Sequence, residues 1–174
     1  MHNGKAFTLI ELMVVICLIA LLAGMGVMQF SFLDATITHA ELDKLMTACL
    51  YMQQLAIATN EEKYLIFDEQ KQEYYGEKFH EKLSPRVRFG FLSGVKGPPG
   101  SPTHVIEKAI TFPSARICFY PTGIISSGTV YLVDAKKQCL YALSNAVSHV
   151  SFLRLYRYDH GWKLYGDNEK NLHN

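Results

Sequence analysis

The chain has 174 residues, of which 49% are hydrophobic and 19% are charged, and its formal net charge is +1. This composition excludes an intrinsically disordered chain, because it supplies enough apolar side chains for a packed core. A nearly neutral chain also gives no electrostatic reason to expect nucleic acid or acidic ligands as partners. The length allows one membrane helix and one globular domain of about 110 to 140 residues.

The N-terminal segment is a short leader that contains Lys5, followed by a long apolar stretch that starts at Phe7. No residue between Leu12 and Leu33 is charged. A helix of about 22 residues is long enough to span the hydrocarbon core of a bilayer. Glu11 is a charged residue near the beginning of this apolar stretch. A carboxylate at membrane depth costs several kcal/mol, so the presence of Glu11 indicates a function.

Two ordinary interpretations leave Glu11 without a role. A secretory signal peptide would have a shorter apolar region, and the small residues near Ala23 and Gly24 make a poor cleavage site. A signal anchor agrees with the length of the segment and with Lys5 on the cytoplasmic side. Under that second interpretation the chain would be a signal-anchored periplasmic binding domain.

The segment Phe7-Thr8-Leu9-Ile10-Glu11 resembles the processing and assembly motif of type IV pilins and of the pseudopilins of type II secretion. The resemblance implies that prepilin peptidase cuts between Ala6 and Phe7 and methylates the new amine of Phe7. It also implies that Glu11, the fifth residue of the mature chain, serves assembly. That family usually has glycine before the cut, so alanine here predicts slower processing. Cutting after Gly4 would put Glu11 out of register, and we reject it.

The helix is predicted to continue past the membrane segment as an amphipathic half without an interrupting proline. Apolar residues recur there at three- and four-residue steps, which is typical of a helix with one buried face. This stripe consists of Leu42, Leu45, Met46, Cys49, Met52 and Ala56. Polar residues off the stripe are predicted to face water or a partner, and they are Glu41, Asp43, Lys44, Gln53 and Gln54. Asn60 is the predicted end of the helix.

After Asn60 the pattern predicts only strands, with a loop at 94–102. The predicted strands are 63–67, 73–75, 86–91, 110–112, 116–120, 129–133, 138–143, 150–158 and 162–165. The fold class is therefore α+β, with a long N-terminal helix packed on an antiparallel β-sheet domain, as in pilins. The predicted segments are a leader (1–6), a transmembrane and assembly half of the helix (7–33), an amphipathic half (34–60), a periplasmic β-sheet domain (61–165) and a polar tail (166–174).

Residues 117–132 resemble the conserved segment of H-type minor pseudopilins of the general secretion pathway. An apolar strand runs into the turn Pro121-Thr122-Gly123, and a serine and glycine loop leads to a strand that Thr129 starts. The two resemblances imply a minor pseudopilin of a type II secretion system, single-pass in the inner membrane with its C-terminal domain in the periplasm. Its partners would be other pseudopilins, prepilin peptidase and the inner-membrane assembly platform. The alternative within this class is a minor pilin of a type IV or competence pilus.

The cysteines and the remaining motifs give weaker predictions. Cys118 and Cys139 are predicted to lie in neighbouring strands, so a disulfide could join them in an oxidising periplasm, although the sequence does not show that they face each other. Cys17 and Cys49 are interpreted as small apolar packing residues. The sequence has no cysteine and histidine spacing for zinc, no nucleophile elbow and no phosphate-binding loop. We therefore expect no metal, no cofactor and no enzymatic activity.

Overall fold

The computed structural model describes residues 8–145 and 152–165, but not the side chains of residues 22–35. Helix α1 spans Leu9–Thr59. The chain divides into two compact units, Met1–Asp34 and Ala35–Asn174. Over the residues that the structure describes, we find no helix long and apolar enough to cross a membrane. The predicted leader and the predicted polar tail lie outside the described residues.

Within the described residues, the strands that follow α1 form three antiparallel sheets, where the sequence predicted one sheet. Their bounds are β1 (Lys63–Asp68), β2 (Glu73–Tyr75), β3 (His80–Lys82), β4 (Val87–Phe89), β5 (Lys96–Gly97), β6 (His104–Val105), β7 (Arg116–Phe119), β8 (Gly128–Asp134), β9 (Leu140–Asn145), β10 (Arg154–Tyr158) and β11 (Trp162–Leu164). The four-stranded sheet has the order β3-β2-β1-β7, the five-stranded sheet has the order β11-β10-β9-β8-β4, and β5 pairs with β6. The α+β class with antiparallel pairing is confirmed.

Most predicted strand pairs are confirmed, and two predicted segments are wrong. The hairpins β1–β2, β8–β9 and β10–β11 form as the sequence predicted. Residues 110–112 make only an isolated bridge from Ile110 to Val130, because Pro113 starts a short 3-10 helix there. The predicted loop at 94–102 contains β5, which pairs with β6.

The apolar stripe of α1 is buried, as the sequence predicted. Leu42, Leu45, Cys49 and Met52 have no exposed surface, and Met46 is partly buried. The buried residues of the stripe belong to one core cluster with residues of the two larger sheets. Burying each leucine or methionine contributes roughly 1.5–3 kcal/mol, so the stripe is a principal source of stability for this unit.

The prediction that Glu41 and Gln53 face water or a partner is wrong, because only 6% and 7% of their surfaces are exposed within this chain. The side-chain amide of Gln53 donates a hydrogen bond to the Gly123 carbonyl oxygen at 2.7 Å. Glu41 accepts a hydrogen bond from the Lys44 ammonium group at 3.1 Å. The buried face of α1 is therefore wider than the apolar stripe.

The end of α1 at Thr59 confirms Asn60 as the stop. Asn60 has a left-handed φ of 54°, and the Glu61 N–H donates to the Ala56 carbonyl oxygen at 3.3 Å. This geometry is a Schellman motif, in which an asparagine or glycine accepts the left-handed conformation after the last helical residue.

We expect Gln53→Ala to lower the free energy of unfolding by about 1–3 kcal/mol, because the Gly123 carbonyl oxygen loses a buried donor. The matched control is Gln54→Ala, since Gln54 is exposed on the same helix. That control should stay within about 0.5 kcal/mol of the unsubstituted chain. Urea unfolding of the full chain in detergent micelles, followed by circular dichroism, measures both. Equal losses would show that the hydrogen bond to Gly123 adds no stability.

Candidate functional site

The predicted assembly residue, Glu11, lies in the first turn of α1 and closes a capping box with Thr8. The N–H and the Oγ1 hydroxyl of Thr8 each donate to Glu11 Oε2 at 3.2 Å. In return the Glu11 N–H donates to Thr8 Oγ1 at 3.3 Å. These reciprocal bonds satisfy backbone N–H groups that have no partner within the helix. The Glu11 carboxylate also lies at the positive end of the helix dipole.

The helix around this box is apolar on all sides over the side chains that the structure describes in the first unit. From Leu9 to Leu21 only Glu11 is charged. Large side chains remain exposed, including Leu9 at 79% and Ile10 at 71%. A single neighbouring sheet covers one face of a helix, whereas this segment has apolar side chains on every face. The segment therefore suits a surrounding of lipid or of several other helices.

The predicted processing residue Ala6 and the predicted N-methylation residue Phe7 lie outside the described residues. The structure brings together Thr8 and Glu11, of which the sequence singled out Glu11 alone. The spacing Thr-x-x-Glu at the start of a helix is itself a capping signature and could have identified Thr8. The assembly role of Glu11 stays a prediction.

Comparison with known proteins identifies the N-terminal signal. Residues 1–27 match the family described as the prokaryotic N-terminal methylation motif, a type IV pilin-like prepilin signal. Searches among curated proteins and among solved structures gave no match. The chain therefore carries the signal of a prepilin-peptidase substrate, which implies assembly into pilin-type filaments. The signal also indicates a membrane-anchored protein with an exposed domain.

Cys118 and Cys139 do not lie in neighbouring strands, so that prediction is wrong. Cys118 belongs to β7 in the four-stranded sheet, whereas Cys139 precedes β9 in the five-stranded sheet. The reason is that β7 pairs with β1, and β9 lies between β8 and β10. Neither of these two cysteines forms a disulfide. Burial raises the pKa of the Cys118 thiol, which keeps it in the less reactive protonated form.

The other two cysteines form no disulfide either, and Cys49 is fully buried in the core cluster. Burial raises the pKa of the Cys49 thiol. Cys17 is exposed. Within residues 8–145 and 152–165, no group of three or more histidine, cysteine, aspartate or glutamate residues could hold a metal ion.

Residues 117–132 lead from the four-stranded sheet into the five-stranded sheet, and their likeness to H-type pseudopilins stays a prediction. The turn in this segment requires Gly123, whose φ of 81° lies in the left-handed region. The loop after the turn is tied down by Asn145 at the end of β9. The side-chain amide of Asn145 donates to the carbonyl oxygens of Ile125 at 2.8 Å and Ser126 at 3.2 Å. These bonds give the loop a fixed position at one end of the five-stranded sheet.

Proposed function

We propose that the chain is a minor pseudopilin of a type II protein secretion system. It would be a structural subunit of the pseudopilus and not an enzyme, held in the inner membrane by 7–33 with its sheets in the periplasm. The observation that carries this proposal is the prepilin signal at residues 1–27. The turn and loop within 117–132, which resemble H-type subunits, support the assignment to type II secretion.

The proposed assembly step pairs two charges that would be unfavourable if each were buried among apolar helices without a partner. Cleavage gives Phe7 an α-amine that is positively charged near neutral pH. Buried among apolar helices, this amine and the Glu11 carboxylate both need partners. Glu11 of an incoming subunit pairs with the Phe7 amine of a neighbour, which sets a fixed axial step. A subunit whose Glu11 pairs with its own amine would cap a filament without extending it.

The partners of such a subunit would be other pseudopilins, prepilin peptidase and the inner-membrane assembly platform. The second candidate function is a minor pilin of a type IV or competence pilus. Ala6 supports this alternative, since alanine before the cut is compatible with competence pseudopilins. A strain that lacks the gene separates the two, because loss of protein secretion supports the first function and loss of DNA uptake supports the second.

We expect the mature chain to begin with N-methylated Phe7, since Ala6 is small enough for a peptidase pocket shaped for glycine. Mass spectrometry of the protein from membranes measures this N-terminus. The comparison variant is Ala6→Gly, which should raise the processed fraction without moving the cut. An intact Met1, or a mature N-terminus near Gly24, would contradict the proposal. The chain would then be interpreted as a signal-anchored periplasmic domain.

A further inference from the structure

An open groove of about 730 Å³ lies along α1 in the unit Ala35–Asn174, between the helix and strands β2 and β3. Most of its lining side chains are apolar, and they include Ala40, Ala48, Tyr51, Tyr74 and Phe79. Tyr74 is buried, whereas Tyr51 is 43% exposed. The groove therefore offers an accessible apolar surface, and neither the prepilin signal nor the pairing of Glu11 uses it.

The groove also presents one carboxylate that has no cationic partner. Lys44 lines the groove, but its ammonium group lies 3.1 Å from Glu41 Oε1. Asp43 lines it too, and its Oδ2 lies 3.0 Å from His39 Nδ1. The third charged lining residue, Glu81, is exposed and forms no ion pair with any residue that the structure describes. The groove therefore suits an apolar occupant that carries a cation beside its apolar part.

The same unit presents such a pair of side chains just before and at the start of β10. Phe152 is 49% exposed, and the Arg154 guanidinium group lies over its ring, 5.0 Å from the ring centroid. Arg154 is itself exposed and forms no ion pair within the described part of the chain. Aromatic residues and arginine are enriched at protein interfaces, because they bury a large area and also carry specific polar or charged contacts.

Two other occupants from this chain fit the groove less well. Arg116 also stacks on an aromatic ring, that of Tyr64, at 4.9 Å. That ring is partly buried, and its hydroxyl donates to Glu62 at 2.6 Å, so it would bring a second carboxylate toward Glu81. The C-terminal segment 166–174 has a single large apolar residue, which is too little to fill an apolar groove.

We propose that this groove binds Phe152 of a second copy of the chain, and that Arg154 of that copy pairs with Glu81. The Phe152 ring lies against Tyr51 and Phe79 in this contact. Because the groove and the Phe152–Arg154 pair are different surfaces, one contact leaves one of each free, and the contact can repeat from copy to copy in a ring or a filament. The proposal uses only the unit 35–174, so it does not depend on type II secretion or on the pairing of Glu11.

The test replaces Phe152 by the photoreactive analogue p-benzoylphenylalanine in the full chain and illuminates membranes of cells that produce it. Mass spectrometry of the product identifies the peptide that the probe has joined. The same analogue at Tyr120 is the control for probe position, since Tyr120 is another exposed aromatic residue outside the groove. Glu81→Arg and Arg154→Glu are measured singly and together, and Glu69→Arg is the matched control on an exposed glutamate outside the groove.

We expect the probe at position 152 to give a product of twice the mass of the chain, joined to residues 40–51 or 74–81. Each single charge reversal should lower its yield at least about tenfold, because two like charges then meet, and the double reversal should restore it. Glu69→Arg should leave the yield unchanged, and the probe at position 120 should not reach the groove. Three results would overturn the proposal: no product of twice the mass, a product joined outside the groove or only to another protein, or a yield that Glu81→Arg does not lower.

Discussion

Glu11→Ala is expected to abolish incorporation of the chain into filaments, lowering it by at least about a hundredfold. In the proposed pairing, the substitution would leave the Phe7 amine of the neighbouring subunit buried without its partner, and breaking a buried ion pair costs about 3–5 kcal/mol. The capping box with Thr8 is lost as well. The measurement is the amount of chain recovered with sheared filaments, relative to the amount in membranes.

Two controls separate assembly from the other roles of Glu11. Glu11→Gln keeps an acceptor for Thr8 but removes the charge, so it should also fail to assemble if pairing with the amine is the essential contact. The mature N-terminus of each variant shows whether cleavage still occurs, which separates a processing defect from an assembly defect. Normal incorporation of a correctly processed Glu11→Ala chain would exclude the proposed pairing.

Leu45→Ala is expected to lower the free energy of unfolding by about 2–5 kcal/mol, because it leaves a cavity in the core. Leu50→Ala is the matched control, since it makes the same substitution on the same helix. Leu45 is 0% exposed and Leu50 is 46% exposed. The change in helix propensity is the same in both, so the difference between them isolates burial.

Urea unfolding of the two variants in detergent micelles gives this difference directly. A typical domain is stable by only about 5–15 kcal/mol, so Leu45→Ala should also reduce the amount of protein in cells. Similar losses for both leucines would mean that the stripe is not the face of α1 that the sheets cover.

Periodicity predicted the stripe of α1 well but misplaced its polar neighbours. The pattern assigns Glu41 and Gln53 to the outer face because it considers side-chain polarity alone. Gln53 is buried because its amide reaches the Gly123 carbonyl oxygen, a partner far away in the sequence. Strand β3 gave no signal, since all of its residues are exposed and no apolar alternation marks it. The sequence also did not predict that β7 pairs with β1. Because of this long-range pairing, Cys118 and Cys139 lie in different sheets.

The N-terminal site and the contacts of Asn145 differ in how much of each the sequence shows. The motif from Phe7 to Glu11 is contiguous, so it can be recognised from the sequence alone. The Asn145 side chain contacts the loop that follows Gly123 only because the fold brings the end of β9 beside that loop. Its Nδ2 donates to the carbonyl oxygens of Ile125 and Ser126, and no local pattern in the sequence predicts those two bonds.

The capping box has a consequence for how firmly a subunit is held in a filament. Because Thr8 already binds the Glu11 carboxylate in the isolated chain, the proposed pairing with a neighbour would exchange one set of hydrogen bonds for another. The net gain is therefore smaller than the full strength of the charge pair. If the proposed pairing holds, this smaller gain would make a subunit at a filament end easier to release than the strength of the charge pair alone suggests.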